Sequence, residues 1–142
     1  MALKIYPDAG VLPAFSQDGA NTNPILHSFD GRTGGIWEVM YYLRNDDIIY
    51  DYSDITIVPV DHSGKNIVNG TNGFSWKLSA GNTQPSVEEW SAIVAGASIS
   101  MDALTDIITY SPFWLRIEVP RGASVTSYND VNLRIDYTET VA

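Results

Sequence analysis

The chain has 142 residues, 44% of them hydrophobic and 11% aromatic, with 17 acidic against 8 basic residues and no cysteine. That length and apolar content predict one folded domain with a real core and exclude intrinsic disorder, while the missing cysteines exclude a disulfide scaffold, a thiolate zinc site and a Cys nucleophile. A net charge of −9 argues against a partner held mainly through its phosphates, and no apolar run approaches the ~18–20 residues that span a bilayer as a helix.

Leu3 to Tyr6 reads as a short strand stopped by Pro7-Asp8-Ala9-Gly10. No apolar stretch follows Lys4 of the kind a signal peptide needs, so the chain is expected to be made in the producing cell's cytoplasm without a secretion signal. Residues 1–23 are rich in turn formers after that strand and read as an extended N-terminal arm. Ile25 to Phe29 is a short strand candidate, and His27 within it reads as a half-buried structural histidine. Ile36 to Arg44 alternates with period two, placing Trp37, Val39, Tyr41 and Leu43 on one face and Glu38, Tyr42 and Arg44 on the other. Asn45 to Asp54 holds Asp46, Asp47, Asp51 and Asp54 and reads as a hairpin connection, because Asn and Asp favour turns. Its oxygens suit calcium chemically, but the spacing departs from the EF-hand loop, so no metal is assigned.

Ile55 to Val60 is a strand in which Pro59 implies an edge or a bulge. Asp61 to Asn66, with His62, and Asn69 to Gly73 are polar turns, and Phe74 to Leu78 is another strand. Pro85-Ser86-Val87-Glu88-Glu89-Trp90 places a proline and two acids where a helix start welcomes them, predicting a short helix near 86–95. Met101 to Ile108 reads equally as strand or helix. Phe113 to Val119 and Val131 to Tyr137 alternate again, with Arg116, Glu118, Arg134 and Asp136 on the wet faces. Such strands, each with one buried and one wet face, predict an all-β fold: an antiparallel β-sandwich of immunoglobulin-like or jelly-roll type, one domain over 1–142.

Reactive chemistry is hard to assemble from these residues. His27 and His62 are the only histidines, and no serine sits in a nucleophile-elbow context. Glu88 and Glu89 are sequence neighbours and cannot face each other across a glycosidic bond. Gly31-Arg32-Thr33-Gly34-Gly35 has no Walker lysine and leads into a strand. The reading is a non-enzyme with no catalytic residue, cofactor or metal and no nucleic-acid or membrane partner. The aromatic surplus points to contact surfaces instead, since Tyr and Trp are enriched at interfaces and in sugar platforms. Tyr42, Arg44, Tyr50, Tyr52, Trp114, Arg116 and Arg134 are the candidate interface residues.

Asp30-Gly31-Arg32-Thr33-Gly34-Gly35, Tyr42-Leu43-Arg44-Asn45-Asp46-Asp47, Tyr52-Ser53-Asp54-Ile55-Thr56-Ile57 and Pro59-Val60-Asp61, followed by Tyr110 to Ala123, form a familiar succession. Together they resemble small structural proteins of tailed bacteriophages, auxiliary virion components built on a β-sandwich. The likeness covers about residues 30–61 and 110–137. It implies a place in the virion, as a capsid decoration (cement) protein or a head–tail component, bound as an oligomer to the major capsid protein or another virion protein. The alternative is a carbohydrate-binding sandwich of a tail fibre or other adhesin, with Trp114, Tyr42, Tyr50 or Tyr52 stacking on a glycan.

Overall fold

The computed structural model describes residues 3–10, 12–15, 25, 27–29, 32–61, 68–70, 73–122 and 131–142. Its elements run β1 (Leu3–Tyr6), β2 (Gly35–Asn45), β3 (Tyr50–Asp61), β4 (Ser75–Ala80), α1 (Val87–Ala92), β5 (Ile99–Met101), β6 (Ser111–Val119) and β7 (Val131–Val141). They form two antiparallel sheets, ordered β1-β2-β6-β4 and β5-β3-β7. The first order matches strands A-B-E-D of an immunoglobulin sandwich, and β3-β7 matches its C-F pair.

Period-two alternation builds the core. Tyr41, Leu43, Leu78, Phe113, Leu115 and Ile117 from the first sheet join Ile55, Ile57, Leu133 and Ile135 from the second in one buried cluster. Leu43, Ile57, Phe113 and Leu115 have no exposed surface at all. On the inner face of β2, further cover comes from chain outside the sheets. Phe15 meets Tyr41 edge-on at 4.9 Å, and His27 stacks on Trp37 at 4.2 Å. Phe29 lies against Gly35, where a Cβ would come within 2.9 Å of the ring.

These contacts correct two expectations. Described residues of the 1–23 segment are part of the fold, not an arm: Leu3 and Ile5 are buried in the sheet, and the Phe15 amide donates to the Ile5 carbonyl at 2.8 Å. Residues 16–23 and His62 lie outside the described residues. Ile25, His27, Ser28 and Phe29 belong to no strand; His27 and Phe29 lie against β2 through their side chains, Ile25 packs on the core, and His27 stays exposed beyond its stacked ring.

The acidic stretch differs from a hairpin, because β2 and β3 lie in different sheets. Asp46–Ile49 is the crossing, and buried Asn45 holds it. Its Nδ2 donates to the Tyr50 carbonyl and its Oδ1 accepts from the Asp47 amide, both at 2.8 Å. Asp51 and Asp54 belong to β3, where Asp54 takes a φ of 49° at a register shift between Ser53 and Thr56. The register shift thus precedes Pro59, and at Pro59 itself β3 has, among the described residues, the open edge its sequence implied. Pro59 pairs with Leu133 on β7, beyond the Ile55–Ile57 stretch that β5 covers, so its missing N–H leaves no ladder bond unmade. The helix starts as the sequence indicates, with Ser86 and Glu89 closing a capping box at 3.2 and 3.1 Å.

Candidate interaction surface

The outer face of the first sheet carries two polar clusters, each under a covering segment. In one, β2 and β6 set Glu38 opposite Arg116, and their side chains pair at 3.3 Å. The helix lies over them: the Trp90 indole N–H donates to Glu38 at 2.8 Å, Gln84 donates to the same oxygen at 3.1 Å, and Lys77 donates to the Trp90 carbonyl at 3.0 Å. Trp90 is only 1% exposed, and the Arg116 side chain keeps 12%. Arg116 does point away from the core, yet it is a buried joint between sheet and helix, not a free wet-face cation.

The second cluster gathers Tyr6, Tyr42, Arg44 and Tyr110. The Arg44 guanidinium sits 4.8 Å from the Tyr110 ring centroid and 6.0 Å from that of Tyr6, and Tyr42 meets Tyr110 edge-on at 6.0 Å. Arg44 also donates to the Ile107 carbonyl at 2.9 Å and pairs with Asp46 at 3.5 Å. Tyr6 donates its hydroxyl to Asp46. Burial first, then the Asp46 carboxylate, push the Tyr6 phenol up to about 12.

The remaining candidates scatter. Trp114 stands between these clusters, half-buried, opposite Met40 and Ser79, and its indole N–H has no hydrogen-bond partner among the described residues. Tyr50 is half-buried against the core, and Tyr52 is 1% exposed with its hydroxyl donating to Glu139 at 2.7 Å. Arg134 lies on the second sheet, paired with Asp136 at 3.1 Å and more than half exposed. Thus Tyr42 and Arg44 come together, Arg116 and Trp114 share their sheet face, and Tyr50, Tyr52 and Arg134 lie on the other sheet. No flat exposed aromatic platform results from the four rings named for a glycan.

One feature of the surface is invisible to alternation. At the end of the sandwich where β2 stops and β7 finishes, Ile48 is 75%, Ile49 59%, Ile108 78% and Val141 76% exposed. The Ala142 amide donates to the Ile49 carbonyl at 2.8 Å, and Val141 pairs with Tyr50, which brings the crossing and the C-terminal strand together. Ile108 follows the Ile107 carbonyl that holds Arg44. Asp106 fixes its turn, accepting from the Ile108 and Thr109 amides at 3.0 and 2.8 Å and from the Thr109 hydroxyl at 3.0 Å. Those bonds, the Thr109 hydroxyl foremost, hold the Asp106 carboxyl below its ordinary range. The sequence signal was present: Ile48-Ile49 and Ile107-Ile108 are apolar pairs inside polar turns.

Chemically, this surface offers apolar contact rimmed by Asp47 and Asp106. Among the described residues no group of three or more His, Asp or Glu side chains is placed to hold a metal, and none of the described helices is long and apolar enough to cross a membrane. The class defined by fold and surface is a two-sheet antiparallel β-sandwich with an exposed aliphatic end. No protein-family model, curated protein or solved structure matches the chain.

Proposed function

We propose that this chain is a non-enzymatic virion structural protein of a tailed phage, a capsid decoration protein that binds the major capsid shell as an oligomer. The observation that supports a binding role is the aliphatic end, where Ile48, Ile49, Ile108 and Val141 expose their apolar side chains as a surface for a partner. The virion setting rests on the resemblance of residues 30–61 and 110–137. The acid rim of this end favours a shell surface that carries basic residues around an apolar contact. Many copies on one shell multiply a modest single contact, so a small area suffices for retention.

The test is size-exclusion chromatography with light scattering of the full chain mixed with shells of the major capsid protein from the same genome. Wild-type protein is expected to co-elute with shells at a fixed ratio. Ile48→Asp combined with Ile108→Asp is expected to remain free while melting at the wild-type temperature. Failure of the wild type to bind, or undiminished binding by the variant, would overturn the reading.

A further inference from the structure

The four outermost strands of the two sheets are unequal. β1 has 4 residues, β4 has 6 and β5 has 3, but β7 has 11. Natural sandwiches blunt their edges with short strands, Lys, Pro or bulges, because an open edge is a row of unpaired N–H and C=O groups ready to take another strand. β7 is not short and has no Lys, Pro or bulge of its own; its charged side chains are Arg134, Asp136 and Glu139. Its sequence, Val131 to Val141, has no Lys, Pro or Gly, and the register shift of its ladder lies between Ser53 and Thr56 on β3. Among the described residues no other strand pairs with its outer edge between Leu133 and Val141.

We infer that this edge takes a second copy of the same chain, joining the two β5-β3-β7 sheets into one continuous antiparallel sheet through β7 against β7. Symmetry limits the register and charge favours one choice. A two-fold axis perpendicular to the sheet keeps each face on its own side, so the paired residues differ by an even number and the axis passes through a residue. With the axis at Ile135, Arg134 of each copy stands opposite Asp136 of the other, and two cross-strand ion pairs form at once. An axis at Asp136 would set the two Asp136 carboxylates against each other, which is unfavourable. The Ile135 register also brings Leu133 of one copy opposite Tyr137 of the other, extending the apolar inner face. Arg134 and Asp136 are both more than half exposed, so they are free to turn from their own pair to the partner's. The Ile48, Ile49 and Val141 ends then lie at opposite ends of the joined sheet, so self-association and shell binding do not compete.

Sedimentation velocity of the full chain across micromolar concentrations tests this without any shell, so its outcome is separate from that of the proposed function. Wild-type protein is expected to sediment as a dimer. Arg134→Asp leaves two carboxylates on the edge and Asp136→Arg leaves two guanidiniums, so each variant alone is expected to dimerise about tenfold or more weakly. An equimolar mixture of the two is expected to regain the dimer, as is the double exchange within one chain. Circular dichroism confirms that the variants are folded. A monomeric wild type, or single variants that dimerise as tightly as wild type, would overturn the inference; so would a mixture that stays monomeric.

Discussion

Arg116 and Arg134 occupy equivalent places in their sequence patterns, each on the wet side of an alternating strand, and the fold gives them opposite energetics. Arg116 is closed in by Glu38 and the Trp90 ring, so removing it strands a carboxylate in a poorly hydrated site. Arg116→Ala is expected to cost about 2–3 kcal/mol in denaturant unfolding, since bonds to charged groups carry that weight. Arg134→Ala, with its partner also in water, is expected to stay within about 0.5 kcal/mol of wild type when unfolded as monomer. Equal losses at the two sites would mean that the helix does not cover Arg116. Two tyrosines report the alkaline limb. Burial raises Tyr41, and burial with Asp46 raises Tyr6, so both phenols are held neutral in the fold above their ordinary value. A raised folded value means that the unfolded chain loses its protons first. Their contribution is therefore complete below pH 10 and falls as pH climbs from 10 toward 12. Absorbance titration at 295 nm should show two late-ionising phenols, of which Tyr6→Phe removes one and leaves that of Tyr41.

At the scale of elements, the sequence made the strands readable and left their neighbours hidden. Alternation in 36–44, 113–119 and 131–137 was sufficient for β2, β6 and β7, because a strand with one buried face must repeat every second residue. It says which side faces away from the core, but not what other chain lies there. That is why Glu38, Arg116 and Arg44 looked solvated, and why Tyr52, in a stretch read as a loop, proved to be interior. The helix was legible from Pro85, Ser86 and Glu89; its job, burying Trp90 on the outer face of the sheet, was not. Two substitutions separate its local stability from that job. Ser86→Ala removes the cap and is expected to cost about 1 kcal/mol. Trp90→Ala empties the joint with Glu38 and Arg116 and is expected to cost about 3–5 kcal/mol. A Trp90 loss no larger than the cap loss would show that the helix is only loosely attached.

For the whole molecule, the −9 charge and the 11% aromatic content acquire separate meanings. Much of the aromatic content is spent on contacts within the chain: Phe15, Phe29, Trp37 and Tyr41 close one side of the core, while Tyr6, Tyr42 and Tyr110 cage Arg44. The surface clue is aliphatic, in Ile48, Ile49, Ile108 and Val141, with acids around it. The central claim is that this end seats on a partner shell. Hydrogen–deuterium exchange of the free and shell-bound chain tests it most directly. Slowed exchange on the shell at residues 46–49 and 105–109, with β4 and α1 unchanged, is the predicted result; unchanged exchange at that end with protection elsewhere would contradict the account.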